Sequence, residues 1–357
     1  MNSLLLAAAL LASLALVACA ASHHAGVERP RFAIAIHGGA GVIDKDSPPD
    51  KRAAYEASLR AALTLGRDEL ARGGSALDAC EKVVRFLEDD PLFNAGKGAV
   101  YTEDATHELD ASIMDGSTLG CGSVAAVRTI KNPISLARLV MARTRHVMLI
   151  GDGAEKFADE AGVERVPNSY FDTPHRLDAL KKALEERRKN EGKVSDAAPG
   201  GQAHSWHASR PLHAPGNEYR GTVGCVALDS KGNLAAATST GGLTAKRWGR
   251  VGDSPIIGAG CYANNATCAV SCTGTGEEFI RHGTARTVSD LMEFKGLSVA
   301  DAADEVIHKR MTKDDGGLIA VSRTGEISLP FSTDGMFRGA ADSSGRFEVG
   351  IWETMGK

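Results

Sequence analysis

The sequence predicts a layered α+β domain, and three observations predict it. Short apolar strands recur along the chain, helices come in pairs, and several strands are joined by hairpin-length turns rather than by the regular helical crossovers of a doubly wound sheet. The length of 357 residues suits one large domain or two smaller ones. With 43% apolar, 24% charged and 5% aromatic residues, the composition excludes a disordered tail, a collagen-like repeat and a multi-span membrane protein. A net charge of −4 lacks the basic footprint of a nucleic-acid binder, so no nucleic acid is expected as partner. Glycine stands out at 40 residues, clustered rather than periodic.

In chain order, residues 32–36 read as a buried strand breaking into the His37-Gly38-Gly39-Ala40-Gly41 turn. A helix follows over 50–71. A second starts with Ser75 as N-cap and Asp78 three residues on, with Leu77, Cys80, Val84 and Leu87 on one face, so the two form a helical hairpin. Leu109, Ala111 and Ile113 alternate with Asp110, Ser112 and Met114, which predicts a half-buried strand, and 122–128 and 146–150 give two more. Thr173-Pro174 has the order of a cap and a first-turn proline, opening a charged helix with Leu177, Leu180 and Leu184 that ends near Lys193. Residues 194–219 carry Ala, Pro, Gly, Ser and His without apolar period and read as a disordered linker. Strands at 223–228 and 234–238 flank a turn, Asp229 to Asn233. Further strands are expected at 256–260, 269–273, 317–322, 326–331 and 347–352, and helices at 275–283, 287–295 and 298–311.

The first residues have their own reading. An uncharged apolar run over 4–18 has the length of a secretory h-region, so residues 1–20 are expected to be a signal peptide and the chain to be exported to the periplasm. Cleavage after Ala20 and a lipobox with acylation at Cys19 both remain open. The remaining cysteines, at 80, 121, 225, 261, 268 and 272, show no metal-like spacing and read as buried free thiols, with a disulfide as the alternative.

The chemistry concentrates between Gly221 and Gly276, in GTVG, TSTGG at 238–242, GRVGDSP at 249–255 and SCTGTG at 271–276. Thr, Ser and Gly at strand ends present hydroxyls and backbone N–H groups with little bulk, which suits a small polar substrate, although each patch alone also fits ordinary turn chemistry. These motifs, with HGGAG at 37–41, LFNAGKGAV at 92–100 and HELDASIMDG at 107–116, resemble the isoaspartyl peptidase and plant-type L-asparaginase group of N-terminal nucleophile hydrolases over essentially the whole chain after the leader.

The resemblance implies a four-layer αββα sandwich and an autocatalytic cut between Gly221 and Thr222. An α-subunit (21–221) and a β-subunit (222–357) would then form one catalytic domain, assembled as a dimer of αβ heterodimers. It further implies Thr222 as nucleophile and Thr240 as the second threonine placing its proton. Arg250 and Asp253 would hold the substrate's α-carboxylate and α-ammonium, Thr273 and Gly274 would form the oxyanion hole, and the Gly276 N–H would touch the carboxylate. Asn94 would support Thr222. The resemblance adds a structural sodium ion on the carbonyls of Leu87, Glu88, Asp90, Phe93, Ala95 and Lys97, and no catalytic cofactor. A nucleophile at a chain start needs no histidine, because its own amine, with an unperturbed pKa of about 7.7–8.0, can act as base. His37 is therefore read as a structural residue orienting the glycine turn rather than as part of a triad, there being no G-x-S-x-G. Ala245 departs from the Asn that many relatives carry, a position bearing on substrate preference.

The expected activity is hydrolysis of β-aspartyl dipeptides and L-asparagine with release of L-aspartate, in a proportion the sequence leaves open. Two alternatives stand beside it: a glycosylasparaginase, against which Arg220-Gly221 argues because that group commonly has Asp before its nucleophile, and a non-catalytic periplasmic amino-acid binder, which would need neither Thr222 nor a cut.

Overall fold

The computed structural model describes residues 30–41, 46–195 and 221–352. The signal-peptide reading of 1–20 with Cys19, and the linker reading beyond residue 195, lie outside the described residues.

The described residues from Arg31 on form one compact unit, built on two sheets. The larger has eight strands in the order β12-β11-β1-β5-β6-β2-β3-β4. These are β1 (Ala33–Ala40), β2 (Leu109–Asp115), β3 (Cys121–Val127), β4 (Met148–Ile150), β5 (Val223–Leu228), β6 (Leu234–Thr240), β11 (Met336–Asp342) and β12 (Phe347–Gly350). Neighbours are antiparallel except β3 and β4. The smaller sheet, β10-β9-β8-β7, comprises β7 (Cys261–Ala263), β8 (Cys268–Gly274), β9 (Gly316–Ser322) and β10 (Ile327–Ser328).

Alternate side chains of the central strands enter two separate cores. Ile34, Ile36, Cys225 and Ala237 pack with Leu59 and Leu63 of α1 (Pro49–Ala71) and with Val83, Val84 and Leu87 of α2 (Ala76–Asp89). Ala33, Ala35, Val226 and Ala236 face the other way, onto Val270, Cys272, Leu318 and Ala320 of the small sheet, whose core also takes Val288 and Leu291 of α7 (Thr284–Lys295) and Val299 and Ala303 of α8 (Val299–Asp304). Burial on both faces is why these strands read as continuous apolar runs.

The same packing corrects the half-buried reading of residues 109–114. Ala111 and Ile113 enter the first core, whereas Ser112 points toward the other sheet and donates to Ser254 O, so both faces are buried. The Ser75 cap is present: its Oγ accepts the Asp78 N–H at 3.0 Å and donates to Asp78 Oδ2 at 2.7 Å. α5 (Pro174–Ser195) begins at the proline, but Thr173 Oγ1 has no hydrogen-bond partner among the described residues, so the proline and not a threonine cap sets that start. Three elements were not legible: α3 (Pro133–Arg143), α4 (Gly151–Ala161) and β11. The strand expected at 256–260 is a turn, with the short β7 beginning just after it at Cys261, and the helix expected over 298–311 ends at Asp304 and continues as a wider π-helical turn over Glu305–Arg310. Residues 37–40 remain strand, with a bulge between His37 and Gly39 in place of the expected turn. All six described cysteines are free. No helix among the described residues is long and apolar enough to cross a membrane.

Candidate active site

Thr222 sits one residue before β5, where the glycine bulge of β1 approaches it. A Cβ on Gly39 would come within 3.0 Å of Gly221 Cα, so only glycine lets the two backbones lie this close. Gly221 itself has φ +137°, a conformation that side-chain-bearing residues rarely adopt. Its carbonyl oxygen gathers three donors: Thr222 Oγ1 at 2.8 Å, Thr240 Oγ1 at 3.1 Å and Asn94 Nδ2 at 2.9 Å.

Thr240 ends β6, in register with Asp110 of β2. Its hydroxyl oxygen lies 3.2 Å from Thr222 Oγ1 and accepts the Gly242 N–H at 3.0 Å. Asn94 is pinned at several points: Nδ2 also donates to Gly242 O at 2.8 Å, and Oδ1 accepts the Val100 N–H at 2.9 Å. The loop after α2 thus presents one amide to the Gly221–Thr222 bond.

The rest of the site lies across a small cavity of about 30 Å³, lined among others by Gly221, Thr222, Thr240, Arg250, Asp253 and Gly274. Arg250 and Asp253 are not paired with each other. The guanidinium forks onto Glu277, Nε to Oε1 at 2.9 Å and Nη2 to Oε2 at 2.8 Å, a residue that the sequence reading missed. Burial is the largest influence and disfavours both charges of that pair, but the mutual hydrogen bonds and the attraction of surrounding opposite charges together exceed it, raising the Arg250 pKa and lowering that of Glu277. Asp253 is buried, and its Oδ2 has no hydrogen-bond partner among the described residues. Burial pushes its pKa up to about 7, against the pull of the Arg250 charge.

Gly274 has φ +154° and packs so tightly that a Cβ would fall 2.1 Å from Asp315 O. Thr273 is fully buried, and its Oγ1 accepts the Ala40 N–H at 3.2 Å. Gly276 opens α6 (Gly276–His282) with no room for a side chain, since a Cβ would fall 2.8 Å from Arg250 Nη2 and 2.9 Å from Gly252 Cα.

His37 does not orient a glycine turn. It is fully buried, with Nδ1 3.0 Å from Thr222 O and Nε2 2.9 Å from Ser271 Oγ. The expectation missed this because the contact crosses between strands distant in sequence. Leu87 and Glu88 close α2, and Asp90, Phe93, Ala95 and Lys97 follow in the loop that carries Asn94. The Glu88 carboxyl is itself buried, its Oε1 accepting from Ser239 Oγ at 2.7 Å and from the Ile134 N–H at 3.0 Å. Lys97 turns its ammonium to Tyr170 O.

Directly after a glycine of positive φ, and one residue before a strand of the larger of two sheets, a hydroxyl-bearing residue stands with a second threonine against it. A family model described as asparaginase matches residues 30–351. The chain belongs to the asparaginase family. Among relatives of this asparaginase-family chain, the isoaspartyl peptidase of Escherichia coli (strain K12) is 48% identical over 326 residues, covering 90% of this chain and 97% of that protein. The isoaspartyl peptidase of Salmonella typhimurium is 49% identical over 308 residues, 85% and 93% of the two chains. The human isoaspartyl peptidase/L-asparaginase is 43% identical over 321 residues, 89% and 95%.

Proposed function

We propose that this chain is an autoprocessed threonine hydrolase that cleaves β-aspartyl dipeptides and L-asparagine, releasing L-aspartate. The observation that carries this reading is the convergence of Thr222 Oγ1, Thr240 Oγ1 and Asn94 Nδ2 on the carbonyl oxygen of Gly221. In maturation the Thr222 hydroxyl adds to the Gly221 carbonyl carbon, and the charge that develops on the oxygen is held by the Asn94 amide and the Thr240 hydroxyl. The C–N bond then breaks, the Thr222 nitrogen takes up the proton, and water opens the resulting ester to leave Gly221 as a carboxylate. The freed amine becomes the general base for turnover.

Turnover uses the same hydroxyl. Thr222 adds to the substrate's side-chain amide carbonyl, ammonia or an amino acid departs with the proton, and water hydrolyses the aspartyl ester. The Thr273 hydroxyl, which accepts from Ala40, keeps its proton for the oxyanion, and the Gly274 N–H joins it. Arg250, steadied by Glu277, binds the α-carboxylate with help from the Gly276 N–H, and Asp253 binds the α-ammonium. Gly221 lines the same cavity as Thr222, Arg250 and Asp253, which supports one site for both the cut and turnover.

The same reading includes the four-layer αββα sandwich, supported by helices packed outside two facing sheets, a dimer of αβ heterodimers, and export with residues 1–20 as leader. It also includes a sodium ion on the carbonyls of Leu87, Glu88, Asp90, Phe93, Ala95 and Lys97. In favour of that ion, the last carbonyls of α2 lack helical donors, and the loop returns so closely that a Cβ on Gly96 would fall 2.3 Å from Glu88 O. The ion would stiffen the loop bearing Asn94.

Purified protein incubated with a β-aspartyl dipeptide, L-asparagine and N-acetylglucosaminyl-asparagine tests the reading. Aspartate released from the first two supports it. Turnover of the third alone would favour a glycosylasparaginase, and binding of aspartate with no turnover of any would leave only a binder.

A further inference from the structure

We propose that His37 is a positioning residue, which holds the backbone carbonyl of Thr222 through Nδ1 and thereby sets the nucleophile; this rests on the assignment of Thr222 above. A carbonyl oxygen only accepts, so at 3.0 Å from it Nδ1 carries the proton. Nε2 is then the acceptor, taking the Ser271 hydroxyl at 2.9 Å. Ser271 Oγ lies 2.7 Å from Thr238 Oγ1, which also reaches Gly260 O at 3.1 Å. The tautomer and the ring plane are therefore fixed from the far side, by hydroxyls on β8 and β6. Burial, which lowers the His37 pKa to about 3, keeps the ring neutral and agrees with this arrangement.

The position in the ladder says why the contact matters. The pairing of β1 with β5 reaches His37 opposite Gly224, and β5 pairs with β6 from Val223, so Thr222 lies just past both registers. In the continuous chain Gly221 and its three donors anchor that residue. Once cut, Thr222 is a chain end, and chain ends fray unless tied down. The His37 hydrogen bond ties down its carbonyl. Gly224 makes room for it, because a Cβ there would stand 2.2 Å from His37 Nε2 and 2.1 Å from Ser271 Oγ. Neither ring nitrogen is left for proton transfer, so His37 acts through Thr222 and not on substrate.

The test uses the full chain, with kcat and KM for a β-aspartyl dipeptide and the melting temperature as readouts. His37→Leu removes the donor. His37→Asn places an amide N–H where Nδ1 stood. Gly224→Ala displaces the ring without altering it. Expected are a kcat loss of about 100-fold for His37→Leu with KM changed less than about threefold, recovery of at least about tenfold by His37→Asn, and a kcat loss in Gly224→Ala resembling that of His37→Leu. Wild-type kcat in His37→Leu, an effect confined to KM, or a folded His37→Asn no faster than His37→Leu would overturn the proposal. If His37→Leu does not fold, the comparison passes to His37→Asn: turnover within about tenfold of wild type supports the role, and folded protein slower than that refutes it. Failure of the underlying reading looks different, since the wild type would then not turn over or Thr222→Ala would.

Discussion

In the proposed function, Asp253 and Arg250 divide the recognition of a zwitterionic head between them, and their environments give each a separate signature. With its pKa pushed up to about 7 by burial, Asp253 is half protonated near neutrality, and only its carboxylate can pair with an ammonium. KM for a β-aspartyl dipeptide is therefore expected to fall as pH rises through 7, by about fivefold between pH 6 and pH 7, and Asp253→Asn should lift KM while flattening that dependence. A KM independent of pH in the wild type would separate Asp253 from the substrate. Arg250→Lys keeps the charge but loses the fork that grips both Glu277 and a carboxylate, so KM is expected to rise at least about tenfold while the cut still occurs. Wild-type KM in that variant would remove the residue from the binding site. Thr222, Thr240, Arg250 and Asp253 lie in short local motifs through which the resemblance could be carried, and the structure brings all four around one cavity. Glu277 and the true place of His37 were not legible, because a residue's partners across strands leave no spacing in the sequence.

The helix α2 with its following loop is the element that joins the first core to the site. Glu88, at its end, is buried beneath Ser239, the neighbour of Thr240, and burial raises its pKa to about 8, so it is mainly a neutral acid at pH 7. Glu88→Gln keeps a neutral acceptor for Ser239 Oγ and the Ile134 N–H and should cost less than about 1 kcal/mol, whereas Glu88→Ala strands both donors and should cost about 3 kcal/mol in urea unfolding at pH 7. Equal losses would mean that packing alone matters there. The cap made by Ser75 was readable because an N-cap is a local bond between a side chain and a backbone three residues on. α4 was hidden because it opens with Gly151 and Gly153 and buries only Ala154 and Ala158. β11 was hidden because it carries a fully buried arginine, Arg338, whose Nη1 is taken up by Met336 O and Ile351 O. The loop before β6 shows the converse, since the turn residues Asp229 to Asn233 announced a hairpin whose Asp229 Oδ1 takes the N–H groups of Lys231 and Asn233.

For the whole molecule, layered α+β order followed from strands and paired helices, but the two-sided burial of the large sheet could be seen only once the small sheet was in place. That burial has a consequence for stability in acid. His37, its pKa lowered by burial from 6.5 to about 3, is neutral in the folded chain where the unfolded chain would bind a proton. The stability linked to it is full above pH 6.5 and is lost as pH falls toward 3, so His37→Asn should flatten the acid side of a melting-temperature profile; an unchanged slope would mean that other groups govern it. In the proposed function, maturation is the other property of the entire chain, since it would convert one polypeptide into two and create the base that turnover requires. The decisive measurement is the intact mass and N-terminal sequence of the purified protein, followed over time with aspartate release. The predicted result is a β-fragment of 136 residues beginning at Thr222, with activity rising in step with it and neither seen in Thr222→Ala. A fragment beginning elsewhere, or full turnover by an uncut chain, would contradict the assignment of Thr222.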